Sequence, residues 1–313
     1  MFDWLYQYPS PVVAVIVVVV TALVAVLGFS LARRFLQPRI KYHDGVNDVI
    51  SGALGAIGVL YGITVGLITI DVWQRHTTAE DIVVREAAAI QVLYLMVSAD
   101  IGSKRVAEQL DQGPKRDEAK PTNVQKPVAE LVSQYLRDVI CVTWPEQRAG
   151  SKSSTDWRAL RDIRQVVLSI EPNVGGQQVR YAAAIESLND LSELRRLRAD
   201  AATNKLSGVM WMIIILGALM SMCLIYLFRL EDARLHLLLV SLLSGFLGLV
   251  FLMILLNDRP LFGAAGIEPD SYTELGWMIK RPNPFGSRAN AGKNERRPDW
   301  QEACRTLANS SMK

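Results

Sequence analysis

Four stretches of the chain lose the alternation of apolar and polar positions and become apolar on every face: about residues 11–32, 50–72, 207–228 and 235–256. Each supplies roughly the 20 residues that a ~30 Å hydrocarbon layer requires. Charged residues occur only near their ends. Four such blocks predict four transmembrane helices. Between the second and third, a different periodicity appears. Val83, Ala87, Ile90, Tyr94 and Val97 recur at alternating spacings of four and three, a seam along one face of a packed helix. No Pro or Gly separates this seam from the second span, so span and seam can form one rod. Residues 113–121 (GPKRDEAKP) read as a charged loop. Helices are expected next at about 123–143 and 155–170, the second capped by Thr155-Asp156 and closed by Pro172 with Gly175-Gly176. A last helix, with Ile185, Leu188, Leu191, Leu194 and Leu197 as its apolar stripe, is expected to run from about 177 into the third span.

The pattern therefore predicts an all-α membrane protein. Spans 1 and 2 fill residues 1–74, a helical soluble domain fills 75–206, spans 3 and 4 with a post-membrane segment fill 207–275, and 276–313 form a tail. Of the 313 residues, 50% are apolar and the formal net charge is +3. The charge resides in the tail, where eight Lys/Arg from Lys280 onward oppose three Asp/Glu. With little apolar content, that tail is expected to be disordered. It lacks the interleaved aromatics of a nucleic-acid surface, so no nucleic-acid partner is expected. The first span is not expected to be a cleaved signal, because no positive charge precedes it and no small-residue cleavage site follows.

Charge also bears on orientation. Arg33, Arg34, Arg39 and Lys41, then Arg229 and Arg234, flank the short connections. Positive-inside counting puts those connections in the cytoplasm of a bacterial inner membrane and the helical domain outside. The basic tail and a collar of Arg195, Arg196, Arg198 and Lys205 before the third span argue the reverse; the collar reads as an interfacial anchor. Cys141, Cys223 and Cys304 are too few and too scattered to predict a disulfide framework or a metal site, and His43, His76 and His236 are isolated. No phosphate-binding loop, HExxH or nucleophile–base set is present, so neither an enzyme nor a cofactor is expected.

The second span carries the most information. Gly52, Gly55, Gly58, Gly62 and Gly66 fall within roughly 120° of one another at ~100° per residue. A stripe of small residues lets helices approach closely in lipid. Its candidate partner is another span, such as the fourth with Ser241, Ser244, Gly245 and Gly248; alternatively the glycine backbone itself lines a wide neck. On the opposite face lie Ile57, Leu60, Thr64, Leu67 and Asp71. In a ring of identical helices this stripe is the candidate pore lining, with Ile57 and Leu60 as apolar constrictions and Asp71 as a charged mouth. Arg75, one turn on, can neutralise Asp71. No charged residue sits mid-membrane, which disfavours a proton-coupled transporter.

Several stretches in order resemble the bacterial bestrophin-like four-span family. They are GVLYGITVGLITIDVWQ in the second span, REAAAIQVLY beyond it, WPEQRAG, ELRRLRADAAT, RLHLLLVSLL and NDRPLFGAAGIEPDSY. The resemblance covers about residues 3–275. It implies a helical homo-oligomer, pentameric by analogy, related to bestrophins, which are anion channels whose second span lines a narrow neck. The acidic clasp that binds calcium in animal bestrophins has no counterpart here, so calcium gating does not carry over. The leading expectation is an oligomeric ion channel in contact with membrane lipids and inorganic ions; the alternative is a non-conducting sensor or scaffold.

Overall fold

The computed structural model of the protein describes residues 5–39, 45–111, 125–153, 156–170, 172, 175–228, 230, 232–280 and 304. Among these residues there is no strand. The helices are α1 (Ser10–Leu31), α2 (Val46–Asp111), α3 (Gln125–Asp138), α4 (Trp144–Arg148), α5 (Asp156–Leu168), α6 (Gly175–Thr203), α7 (Gly208–Leu227), α8 (Ala233–Asn257) and α9 (Asp270–Lys280). α2 is the uninterrupted rod of 66 residues that the absence of Pro and Gly at its middle allows. Helices α1, α2, α7 and α8 are each long and apolar enough to cross a membrane. The chain is an all-α membrane protein.

Two compact units share the chain. The first comprises residues 1–78 and 204–266, and the second 79–203 and 267–313. Residues 267–275, grouped by sequence with the spans, belong to the second unit.

In the first unit, glycines mark the closest helix approaches. A side chain at Gly248 on α8 would meet Thr21 Oγ1 of α1 at 2.5 Å, and one at Gly28 on α1 would meet the Tyr226 hydroxyl of α7 at 2.7 Å. Gly217 on α7 lies directly against the ring of Tyr61 on α2, whose hydroxyl donates to the Ile214 carbonyl at 2.9 Å. Such contacts fit lipid-embedded packing, where close backbone approach replaces the hydrophobic effect. After α8 the chain folds back on the N-terminal residues. Gly263 has φ +74°, and any side chain there would strike the Tyr6 carbonyl, which accepts from Ala264 N–H at 2.7 Å.

The expected continuity of the last soluble helix with the third span is not observed. α6 ends at Thr203 and α7 begins at Gly208. Ser207 caps the new helix by accepting from Met210 N–H at 3.3 Å, and the Asp258 carboxylate accepts from Leu206 N–H. Serine is a favoured N-cap residue, and here its side chain starts a separate helix.

The second unit buries most of the predicted seam: Val83, Ala87, Ile90 and Val97 are interior and Tyr94 is half-buried. The helix expected over 123–143 is α3 prolonged by a wide turn at Val139–Thr143, after which α4 starts with Trp144-Pro145. Contrary to the cysteine expectation, Cys141 and Cys304 form a disulfide; 163 residues of separation hid the pair from any spacing argument. The rest of the tail, 281–303 and 305–313, lies outside the described residues.

Candidate functional site

The membrane-spanning part of α2 has one covered face. Val65 and Val72 are buried, and with Tyr61 and Ile68 they pack on Leu206, Ile214 and Ile254, joined by Trp211 and Phe251. These α2 residues recur at four, three and four, so they form one stripe. Both stripes singled out from sequence lie off this face, by roughly a quarter turn or more in opposite directions at ~100° per residue.

On one side are the glycines. A side chain built at Gly52, Gly55, Gly58, Gly62 or Gly66 would meet nothing within 4 Å. Packing of this stripe against the fourth span of the same chain is therefore not observed, and Gly248 is instead occupied by Thr21. Gly58, Gly62 and Gly66 border an apolar groove of about 1100 Å³, whose other wall includes Leu239, Leu242, Phe246 and Met253 of α8.

On the other side lie Ile57, Leu60, Thr64, Leu67 and Asp71. Leu60 and Leu67 are 67% and 65% exposed within the chain. Thr64 is exposed and its hydroxyl donates to the Leu60 carbonyl at 2.9 Å. Ile57 is half-buried. Asp71 pairs with Arg75 at 2.7 Å, one turn along α2. That pair cancels most of the charge a lone carboxylate would present at the end of the span.

Directly opposite the covered face stand three aliphatic residues that the sequence reading passed over: Val59, Ile63 and Ile70, at 63%, 59% and 53% exposure. Their spacing of four and seven skips a turn at Gly66, so periodicity favoured the unbroken stripe next to them. Only the position of α7 and α8 identifies which face of α2 points away from its own chain.

A family model described as Bestrophin-like domain matches residues 19–272, most of the chain. The chain belongs to the Bestrophin-like family. Among solved structures, a variant of a bacterial bestrophin homologue from Klebsiella pneumoniae is similar at 10% identity and TM-score 0.61, covering 88% of this chain and 99% of that one. Two other crystal structures, each described as a membrane protein, are similar at 9% and 13% identity with TM-scores of 0.60 and 0.53. They cover 85% and 84% of this chain and 96% and 94% of their own. At such identities the likeness is one of fold. No curated protein matches the chain.

The helical unit of this bestrophin-like protein holds a second arrangement that the sequence did not announce. Half of the expected collar is interior: Arg198 is fully buried and Arg195 is 9% exposed, leaving Arg196 and Lys205 exposed. Arg198 donates to Glu86 of α2 (2.7 Å), to Asp156 at the start of α5 (2.8 Å) and to Gln147 of α4 (2.7 Å). Arg195 donates to Asp156 at 2.9 Å, and the Tyr135 hydroxyl of α3 donates to Glu86 at 2.7 Å. The Arg198 guanidinium also lies over the rings of Trp144 and Tyr272, at 5.7 and 5.9 Å. Two arginines meet two carboxylates, so the cluster is neutral. An anchor reading fails because a guanidinium with its donors on buried carboxylates cannot reach a lipid surface. Burial raises the Tyr135 and Tyr272 hydroxyls well above the usual phenol range, and the Glu86 charge pushes the same way. The cluster ties α2, α3, α4, α5 and α6 together with fixed geometry. Its signal lay in position: Glu86 follows Val83 by three, and Arg198 follows Leu194 by four, so both charges sit on apolar stripes.

Proposed function

We propose that this protein is a homo-oligomeric ion channel of the inner membrane, with the α2 spans of several copies arranged around a common axis. The supporting observation is the partition of α2. One face is committed to α7 and α8, and the opposite face is apolar, exposed and continuous. In a ring, the face turned away from each copy's own outer helices is the one turned toward the axis. The lining proposed is therefore Val59 and Ile63 flanked by Leu60 and Leu67, with Ile70 at the edge where it also borders the groove, a quarter turn from the stripe centred on Thr64. Ile57, Thr64 and Asp71 then belong to the flank facing a neighbouring copy. The glycine-bordered groove on the other flank receives that neighbour, since a bare backbone lets helices approach closely.

A neck of branched aliphatic side chains gates by dewetting rather than by charge. Asp71 lies on the flank and is paired to Arg75, so it adds no net negative charge near the neck, and anion conduction is the selectivity proposed. The helical unit is assigned to the non-cytoplasmic side. Basic residues flank the short connections, Arg195 and Arg198 are not available to an anionic surface, and the Cys141–Cys304 bridge persists only in an oxidising compartment.

Halide flux through purified protein in liposomes tests the channel, together with the mass of the assembly in detergent. A multimer whose flux rises in Ile63→Ala supports it. A monomer, or the absence of flux in wild type and Ile63→Ala across voltages, defeats it and leaves the scaffold reading, in which the continuous α2 rod transmits movement. Impermeant maleimide added outside spheroplasts labels Cys141 after reduction if the orientation is correct; labelling only after permeabilisation reverses it.

A further inference from the structure

The first unit contains a second cavity, separate from the α2 groove, at the level where α1 and α7 begin and α8 ends. It has a volume of about 440 Å³ and is bordered by Tyr6, Lys205, Gly208, Trp211, Asp258 and Arg259, with Met212, Ile215 and Leu216 below. Gly208 is the first residue of α7 and Asp258 follows the last residue of α8, which places the mouth of the cavity at the membrane boundary. Tyr6 and Trp211 are the residue types that favour that depth.

Its upper part is built for an anion. Lys205 is exposed in the break between α6 and α7. The Arg259 guanidinium packs in the angle of two rings that meet edge-to-face, 5.4 Å from Tyr6 and 4.7 Å from Phe262. The N-terminus of α7, a 20-residue helix, adds the positive end of its dipole. One carboxylate shares the site. Asp258 accepts from Leu206 N–H and from the Trp211 side chain, and the charges of Arg259 and Arg75 act on it. Two of its acceptor sites are thus used by the protein, and its charge is opposed by the neighbouring Arg259. Its lower part is built for hydrocarbon: Met212 and Leu216 are half exposed, and Leu219 extends the same line of α7 deeper into the span.

We infer that this cavity binds one anionic phospholipid, its phosphate between Lys205, Arg259 and the start of α7, and an acyl chain along Met212, Ile215 and Leu216. A free phosphate would use the upper part alone and leave the apolar lower part wet. A zwitterionic lipid would bring a choline cation against Lys205 and Arg259. Charge and depth together select the anionic lipid, and the assignment is independent of whether α2 conducts.

The test is retention of lipid by the full-length protein in mixed micelles of phosphatidylglycerol and phosphatidylcholine, quantified by native mass spectrometry. Wild type is expected to retain phosphatidylglycerol preferentially. Lys205→Gln should lower that preference about 5-fold, the scale of one basic residue at an anionic surface, while Lys205→Arg should keep it and Arg234→Gln, at the other end of α8, should leave it unchanged. Arg259→Gln should lower it further; because Arg259 also packs on aromatic rings, its result counts only with an unchanged melting temperature, and the exposed Lys205 decides the matter otherwise. Equal retention of both lipids by wild type overturns the assignment, as does an unchanged preference in Lys205→Gln. Displacement of phosphatidylglycerol by millimolar glycerol phosphate would also overturn it, because a soluble anion would then be the ligand.

Discussion

The two halves of α2 solve opposite problems with one continuous helix. Beyond Ala79, Ile82, Val83, Glu86, Ala87, Ile90 and Leu93 are all buried within their own chain, and a charged side chain among them is held by Arg198. Before Thr78, Val65 and Val72 are the only buried residues of the span, while Val59, Leu60, Ile63, Leu67 and Ile70 lie open. The half beyond Ala79 is finished within one chain; the span half leaves most of its surface uncovered by its own chain. A conducting surface belongs on the half whose packing one chain leaves incomplete, and a fixed polar hub belongs on the half whose packing it completes.

Breaking the finished half should have the largest effect. Arg198→Ala strands Glu86 and Asp156 in the interior and is expected to cost about 3–5 kcal/mol, visible as early loss of the helical unit in thermal unfolding. Arg198→Met combined with Glu86→Leu removes both charges and should recover most of that loss. A loss in the double variant as large as in the single would mean the hub is held by more than its charge balance. Reduction of Cys141–Cys304, or Cys141→Ser, follows at about 2–4 kcal/mol, since the bridge closes a loop of 163 residues; an unchanged melting temperature on reduction would show that the tail is not tied.

A pair of glycine substitutions sharpens the contrast inside the span unit. Gly217→Ala pushes a methyl group into the Tyr61 ring and should cost about 1–3 kcal/mol of stability in detergent. Gly62→Ala meets nothing within its own chain, so it should leave the melting of dissociated protomers unchanged and weaken only their association, measured by mass photometry over a dilution series. Equal behaviour of the two would remove the distinction between internal and external glycine faces. The smallest effect belongs to Asp71→Asn, which loses one exposed pair with Arg75 and should change stability by only about 0.2–0.5 kcal/mol.

Much of the fold was legible because membrane spans announce themselves by unbroken apolarity. The seam on α2 followed equally directly from period. What escaped were relations between distant segments. Nothing local ties Cys141 to Cys304, or Arg198 to Glu86 and Asp156, 112 and 42 residues away. Arg195 and Arg198 looked like a surface collar because Arg196 lies between them, yet a helix turns its adjacent residues to different faces. A helix start at Asp156 was legible, with the expected cap Thr155 outside the described residues, but Asp156 turned out to serve two arginines besides. In the span, apolarity on every side erased the amphipathic signal that would have picked out one face. Two stripes were visible, and the proposed choice of Ile63 over Thr64 required knowing that Tyr61 and Val65 pack on α7 and α8.

That choice can be tested directly. In a Cys223→Ser background, Ile63→Cys and Thr64→Cys variants reconstituted in liposomes would be exposed to a charged, water-soluble thiol reagent while halide flux is recorded. The account predicts rapid loss of flux at Ile63→Cys and slow or no loss at Thr64→Cys. Block at Thr64→Cys with Ile63→Cys untouched would place the water path on the other stripe and contradict it.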